Sequence, residues 1–138
     1  YVTDFPNDKI ALVHNVIALP HLGASTPESE ENCARMAADQ LKDYLINGNI
    51  KNSVNLPNVH QDWSGISRVC LIHKNIPAML TKITTILSDE GVNVENLTNK
   101  SKKDYAYTMV DLNGRIKDAV ADELRAIPGM IRVRVINH

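Results

Sequence analysis

The sequence predicts an α+β fold, in which a strand and a long helix precede a domain with the order β-α-β-β-α-β. Three features indicate this. Residues 68–136 alternate between short apolar strands and segments with helical apolar spacing, a hydroxyl cap followed by proline opens a helix near residue 25, and a four-residue apolar run precedes that helix. A mixed pattern of this kind is typical of layers of helix and sheet packed around one core.

Composition limits the classes of protein to which the chain can belong. It has 138 residues, a formal net charge of −1 and 43% apolar residues, which is typical of a globular chain. Its mixed charges lack the basic excess that binds nucleic acid, and no apolar run reaches the roughly 20 residues of a membrane span. Cys33 and Cys70 form no CxxC pair, so both are expected to be reduced thiols buried in the core, and no two histidines have metal-ligand spacing. We expect a cytoplasmic protein with no metal, nucleic acid or membrane partner.

The N-terminal residues predict the remnant of a larger sheet. Residues 1–6 predict a short strand that leads into a turn at Pro6-Asn7-Asp8. Val16-Ile17-Ala18-Leu19 is a continuous apolar run, typical of a strand buried on both faces of a parallel sheet. Because the sequence suggests no neighbouring strands for this run, we expect it to pack against another copy of the chain. An extended and exposed run would argue against that contact.

A long helical arm follows. Ser25-Thr26-Pro27-Glu28 combines hydroxyl caps, proline in the first turn and acidic residues at the positive end of the helix dipole. Asn47-Gly48 ends the helix. Residues 49–66 have few periodic apolar positions and contain Pro57 and Gly65, so they predict a linker that allows variable placement of the arm.

The C-terminal domain has the clearest pattern. Two helices are expected, one opened by Asn75-Ile76-Pro77 and ended by Gly91, and one that ends at Pro128-Gly129. Polar residues 100–104 predict a hairpin connection. The four expected strands cover Val69–Ile72, Val92–Thr98, Tyr105–Leu112 and Ile131–Val135. This order is that of the ferredoxin-like split βαβ unit, an antiparallel sheet with both helices on one face.

One motif precedes the long helix. Residues 19–28, Leu-Pro-His-Leu-Gly-Ala-Ser-Thr-Pro-Glu, resemble the segment of NAD-dependent D-2-hydroxy-acid dehydrogenases that carries the catalytic histidine. The resemblance implies that His21 exchanges a proton with the substrate oxygen, a role that suits histidine near neutral pH. It also implies that Gly23, Ala24 and Ser25 form a tight turn near the nicotinamide of NAD. Without the resemblance, a strand-to-helix turn with a serine cap would explain these residues.

The same resemblance implies that catalytic parts are missing from this chain. A glutamate and an arginine of the family active site are expected upstream of Tyr1, and the six glycines form no GxGxxG turn for the dinucleotide. We therefore expect the chain to be the C-terminal part of an NAD-dependent enzyme, with NAD bound by the parent protein and not by this part. An independently active enzyme is excluded by the missing cofactor motif.

A second resemblance covers residues 53–57, Ser-Val-Asn-Leu-Pro, and residues 68–136. These are similar to the link and the regulatory ACT domain of the phosphoglycerate dehydrogenases within this family. The implied organisation is a tail of the dehydrogenase body at 1–48, a linker at 49–66 and an ACT domain at 67–138. ACT domains pair side by side, so a homodimer is expected.

The ACT resemblance also implies an effector site. His73 and Asn75, with Asn93 of the partner subunit, match the residues that hold the feedback inhibitor L-serine. An amide group can bind both the ammonium and the carboxylate of a small amino acid. Two alternatives stay open, because Asn75 could cap a helix and Asn93 could be an ordinary turn residue. Ala78 stands where the family has glycine, which favours either a different effector or a dimerisation module without a ligand.

Overall fold

The computed structural model describes residues 1–137 and separates the chain into two compact units, which divide between Asp39 and Gln40. The sequence had suggested a boundary at residue 48, and His138, the last residue of the predicted ACT domain, lies outside the described residues. The division falls within a helix. Each unit is described separately below.

The first unit contains three short elements, β1 (Val2–Thr3), α1 (Asp8–Ala11) and β2 (Ile17–Ala18). β1 and β2 pair in parallel, so the expectation that the apolar run has no neighbouring strand in the chain was wrong. Ile17 and Leu19 are 59% and 47% exposed. This extended, exposed run argues against the expected contact with another copy of the chain.

The long helix α2 (Pro27–Asn47) begins and ends where the sequence predicted. The capping residue is Thr26 and not Ser25: the Thr26 Oγ1 atom accepts a hydrogen bond of 3.2 Å from the Ser29 N–H. Cys33 on this helix is exposed, against the expectation of a buried thiol. Within the part of the chain that the structure describes, no helix is both long and apolar enough to cross a membrane.

The second unit has the predicted ferredoxin-like order. Its elements are β3 (Ser67–Lys74), α3 (Met79–Asp89), β4 (Val94–Lys102), β5 (Tyr105–Leu112), α4 (Asp118–Ala126) and β6 (Met130–Asn137). The strands lie in the spatial order β4-β5-β3-β6 and all three pairings are antiparallel. β4 extends to Lys102, so the predicted hairpin connection shortens to Lys103 and Asp104, and Lys103 adopts a left-handed φ of 57°.

One face of this sheet packs on α3 and α4, as predicted. In the strands every second residue points to this face, and in each helix the apolar residues recur on one side. The spacing of apolar residues in the sequence is therefore two in the strands and about 3.6 in the helices. The largest buried members of this core are Leu71, Ile83, Leu87, Leu112 and Leu124, each fully buried. We refer to this side of the sheet as the helix face.

The opposite side, which we call the second face, is covered by the chain itself. Ile50 and Val59 form an antiparallel bridge and pack on Cys70, Tyr107 and Met109 of the sheet. Val59 is 1% exposed. Residues 49–66, which the sequence predicts as a linker, have little regular structure, yet they close a second apolar cluster.

Hydrogen bonds between buried polar groups hold this segment against the second face. The Arg68 guanidinium donates to both oxygens of Asp111 (2.5 and 2.8 Å) and to the carbonyl oxygens of Asn47 and Asp62, and it lies 4.6 Å from the centre of the Trp63 ring. Burial acts to raise the pKa of the Asp111 carboxyl, but the hydrogen bonds and charge of Arg68 outweigh it and hold that pKa below its ordinary value. The pair is a charge-assisted bidentate contact.

Two more side chains of the sheet hold the C-terminal end of α2. The Tyr107 hydroxyl donates a 2.6 Å hydrogen bond to the Gly48 carbonyl, and Arg134 donates to the carbonyls of Tyr44 and Leu45. Burial raises the pKa of the Tyr107 hydroxyl far above its ordinary value. The Leu45 carbonyl belongs to the last turn of α2, where helix carbonyls lack helical partners and a cation is favourable, whereas the Tyr44 carbonyl also accepts from the Gly48 N–H (3.0 Å).

Candidate functional site

His21 lies in the loop between β2 and α2, beside a carboxylate. Its Nδ1 atom is 2.9 Å from Oδ2 of Asp4, and its ring centre is 4.2 Å from that of Phe5. Both polar side chains are 53% exposed. Because β1 and β2 are parallel, the residues that follow them emerge at the same edge, which explains why Asp4 and His21 meet. The sequence analysis placed the carboxylate partner upstream of Tyr1 and missed Asp4.

The turn after His21 leads directly into α2. The Ser25 N–H donates to the Leu22 carbonyl (2.9 Å), and the Ser29 hydroxyl donates to the Gly23 carbonyl (2.8 Å). A Cβ atom at Gly23 would meet nothing within 4 Å. Gly23, Ala24 and Ser25 are exposed, so within this unit their arrangement is that of a strand-to-helix turn.

His73 lies on the helix face of β3 and is only 2% exposed. Its Nδ1 atom is 2.9 Å from the Lys74 carbonyl oxygen, and its Nε2 atom is 2.8 Å from the Thr108 hydroxyl oxygen. Both ring nitrogens therefore have partners inside the chain. His73 can contact a ligand directly only if one of these hydrogen bonds is exchanged.

Asn75 is exposed at the end of β3, next to the β4–β5 hairpin. Its backbone N–H donates to the Asp104 carbonyl (2.8 Å), and its side-chain Nδ2 donates to the Lys103 carbonyl (3.3 Å). The side chain does not cap α3, because the capping position of that helix is Ala78 and it has no side-chain cap. Asn75 also lines a surface depression together with Lys74, Ile76 and Tyr105.

Ala78 adopts a left-handed backbone conformation, with φ 63° and ψ 9°. Alanine is strained in this region because its Cβ atom approaches the backbone, whereas glycine adopts it freely. Ala78 therefore holds a backbone conformation that suits glycine, and its methyl group lies next to the start of α3.

Asn93 lies at the opposite end of the sheet from Asn75. It precedes β4, and its backbone exchanges hydrogen bonds with Asn113: the Asn93 N–H donates to the Asn113 Oδ1 atom (2.9 Å) and the Asn113 N–H to the Asn93 carbonyl (3.0 Å). Strand β5 separates the two ends by seven residue steps of about 3.4 Å, or about 24 Å. Within one chain, Asn93 is therefore far from His73 and Asn75.

Sequence reasoning missed two residues next to His73. The Thr108 hydroxyl, which is fully buried, donates a 2.8 Å hydrogen bond to Oδ1 of Asn99 on β4. A polar chain therefore crosses the helix face from His73 on β3 through β5 to the exposed edge strand. The signal was present in the sequence, because Thr108 is a polar residue between the apolar positions of a buried strand, and such a residue needs a hydrogen-bond partner.

Sequence comparison with curated proteins finds named relatives of this chain. The D-3-phosphoglycerate dehydrogenase of Escherichia coli K12 is 32% identical over 124 residues, which is 88% of this chain and 30% of that protein. D-3-phosphoglycerate dehydrogenase 2 of Saccharomyces cerevisiae is 32% identical over 131 residues, or 88% of this chain and 27% of that protein. The resemblance inferred from the two motifs is confirmed. The chain spans less than a third of the length of these relatives.

The solved structures that resemble the chain include an ACT domain. The ACT domain of GTP pyrophosphokinase from Chlorobium tepidum superposes with a TM-score of 0.45 and 16% sequence identity, over 51% of this chain and 95% of that domain. The fold assignment rests on the strand order and pairings of the chain itself. No protein-family model matches the sequence.

Proposed function

We propose that this chain is the C-terminal part of an NAD-dependent D-2-hydroxy-acid dehydrogenase that oxidises 3-phosphoglycerate, and that its second unit is an ACT domain that binds L-serine as a feedback effector. The observation that carries the proposal is the 124-residue similarity to a named phosphoglycerate dehydrogenase. The segment around His21 and the polar residues around Asn75 lie within units whose geometry is consistent with these two roles.

His21 is the proposed proton carrier of the parent enzyme. Asp4, 2.9 Å from Nδ1, would orient the imidazole and leave Nε2 for the substrate oxygen. The residues of this chain do not fit NAD by themselves, because no GxGxxG turn is present to receive the pyrophosphate. We therefore expect no oxidation of 3-phosphoglycerate by this chain with NAD, and a measurable rate of NADH formation would contradict that expectation.

The proposed effector site uses the hairpin end of the sheet. There the amide oxygen of Asn75 can accept a hydrogen bond from the ammonium group of serine, while the side-chain nitrogen holds the Lys103 carbonyl. The backbone N–H groups at the start of α3 are available for the carboxylate. A hydrogen-bond acceptor for the ammonium group and donors for the carboxylate are the partners that a zwitterion requires.

A second copy would complete this site. β4 is an edge strand, and edge strands can pair with another chain. If two copies of β4 paired antiparallel around Thr98, the partner's Asn93 would lie opposite Lys103, which accepts the hydrogen bond from Asn75. Pairing of this kind accounts for the separation of Asn93 from Asn75 within one chain, and it gives a symmetric homodimer with two effector sites.

A second candidate function is a dimerisation module without an effector. The observation that favours it is Ala78, whose methyl group stands where glycine allows close approach to the backbone. Both candidates predict a homodimer. They differ in whether a small amino acid binds.

Isothermal titration of the chain with L-serine tests the first candidate, with glycine as the comparison ligand. We expect saturable heat with L-serine that Asn93→Ala abolishes. Asn137→Ala is the matched control, because Asn137 is an exposed asparagine on β6, the edge strand opposite the proposed seam, and it should bind as the wild type does. Sedimentation with and without L-serine reports the dimer.

The outcomes separate the two candidates. A dimer that gives no heat with L-serine contradicts the effector site and supports the dimerisation module. Serine binding gained by Ala78→Gly would then identify the methyl group as the cause. A monomer that binds serine with wild-type strength after Asn93→Ala would contradict the shared site.

A further inference from the structure

We propose that a cavity on the second face binds a phosphate monoester with a planar, largely apolar body, such as adenosine monophosphate (AMP). The cavity has a volume of about 720 Å³, which is typical of small-molecule sites. Apolar, aromatic and cationic side chains of the irregular segment 49–66 and of three strands line it: Leu56, Ile72, Lys74, Tyr105, Ile131 and Arg132. The cavity adjoins the depression at Asn75, with which it shares Lys74 and Tyr105. L-serine, proposed above as the effector, has neither a phosphate group nor an apolar body, so this ligand is a separate one.

The strand register brings the sheet residues of the cavity to one side. Lys74 lies opposite Tyr105 of β5, and Ile72, two residues earlier on β3, lies opposite Arg132 of β6. Because side chains two residues apart on a strand point the same way, all four belong to the second face. Diagonal positions on neighbouring strands lie about 7–8 Å apart, so the long side chains of Lys74 and Arg132 can converge on one anionic group.

These two side chains make the cavity cationic. They give its lining a formal charge of +2, and no Asp or Glu is among the described lining residues. Among residues 1–137, neither side-chain cation makes a hydrogen bond or an ion pair, whereas Arg68, Lys102 and Arg134 of the same face donate to carbonyl or carboxylate oxygens. A phosphate monoester carries a charge of about −2 at neutral pH and therefore matches two cations better than a carboxylate does. Arginine also binds phosphate through two parallel hydrogen bonds.

Apolar surface lies beside the two cations. The β3–β6 register shifts after the pair Ile72 and Arg132, which leaves Ile131 as an extra residue on β6. Neighbours along a regular strand point to opposite faces, yet Ile131 and Arg132 both line the cavity, as a bulge allows. Ile131 is 52% exposed, and the Tyr105 ring, 43% exposed, offers a flat surface for stacking. The ligand expected here therefore joins a planar body to its phosphate.

Hydrogen bonds fix the wall of the cavity that the irregular segment forms. The Lys102 ammonium donates to the carbonyl oxygens of Ser53 and Val54 (3.2 and 3.0 Å). The Ser53 hydroxyl donates to Oδ1 of Asn55 (3.1 Å) and accepts from the Leu56 N–H (3.2 Å). Leu56 in turn packs on the apolar cluster of the second face. This wall is thus held on the sheet before a ligand binds, which lowers the cost of binding.

Isothermal titration of the full chain tests the site with AMP, phenyl phosphate, adenosine and inorganic phosphate. AMP should bind saturably. Adenosine and inorganic phosphate each lack one half of the ligand and should bind at least about tenfold more weakly. Arg132→Gln and Lys74→Gln should each weaken AMP binding about tenfold, because each removes a charge-assisted contact. Arg115→Gln is the matched control, since Arg115 is exposed, follows β5 outside the cavity, and should not affect binding. The three substituted side chains are exposed, so the variants should fold.

Phenyl phosphate distinguishes the two sources of such a ligand. An affinity equal to or above that of AMP supports a site for aromatic phosphates in general, and tighter binding of AMP supports a nucleotide site. The proposal is overturned if neither compound gives saturable heat or shifts the Ile131 amide resonance in nuclear magnetic resonance spectra. It is also overturned if inorganic phosphate binds as tightly as both, or if Arg132→Gln weakens binding no more than Arg115→Gln does.

Discussion

The two faces of the β4-β5-β3-β6 sheet are buried by different means. The helix face is closed by side chains that recur with helical and strand periods, and its core is almost wholly apolar. The second face is closed by an irregular segment, and that segment is fastened by Arg68, Asp111 and Tyr107, all buried. Periodic apolar residues therefore suffice to specify the packing on the helix face, whereas the packing on the second face also depends on a few individual polar contacts.

The largest expected effect tests whether those contacts matter as much as the apolar core. Asp111→Ala should reduce the free energy of unfolding by about 3–5 kcal/mol, because it leaves the Arg68 charge buried without its partner. Leu71→Ala on the helix face should cost a similar amount, about 2–5 kcal/mol. Chemical denaturation of both variants measures the comparison.

A double variant serves as the control for the first prediction. Arg68→Met combined with Asp111→Leu removes both charges and keeps apolar volume, so it should recover most of the lost stability. If Asp111→Ala lowers the free energy of unfolding by less than about 1 kcal/mol, the packing on the second face does not depend on the Arg68–Asp111 pair.

The same carboxylate should make the second face sensitive to acid. The pKa of Asp111 is lower in the folded chain than its ordinary value of 3.8, so its contribution to stability is present above that value and disappears as the pH falls through the folded pKa. Unfolding measured between pH 7 and pH 2 should show this loss. The free energy of unfolding of Asp111→Asn should fall less steeply with decreasing pH than that of the wild type. If both fall equally, the loss does not come from Asp111.

Tyr107→Phe should have a smaller effect, about 1–2 kcal/mol, because it removes one hydrogen bond and leaves the buried Gly48 carbonyl without a partner. Tyr105→Phe is the matched control, since Tyr105 lies on the same strand, points to the same side and is 43% exposed. Thermal unfolding of the two variants should therefore differ. Equal melting temperatures would show that the hydroxyl of Tyr107 does not hold the end of α2.

Ala78→Gly should give the smallest change, and in the opposite direction. Glycine relieves the left-handed strain at φ 63°, which is worth about 1–2 kcal/mol, and part of this gain is lost to the greater flexibility of the unfolded chain. We expect a net stabilisation of about 1 kcal/mol in denaturant unfolding. Ser88→Gly, within the same helix, should instead destabilise.

The comparison of faces also explains what could be predicted from the sequence. The order of strands and helices follows from periodicity, and so does the helix face. The roles of Ile50 and Val59 could not be predicted, since their partners on Cys70 and Met109 are distant in the chain and their segment has no period. Asp4 and Thr108 were missed for a similar reason: each contacts a histidine that is distant in the chain.

The covered second face also determines where the chain can be cut. A fragment that starts at residue 67, as sequence boundaries suggest, would expose Cys70, Tyr107 and Met109 and would lack the backbone carbonyls that Arg68 and Arg134 bind. The smallest autonomous folding piece therefore starts near Gln40, so that it retains the last turns of α2 together with the irregular segment. Limited proteolysis should spare residues 49–66, although an irregular segment between two regular elements is ordinarily a preferred cleavage site.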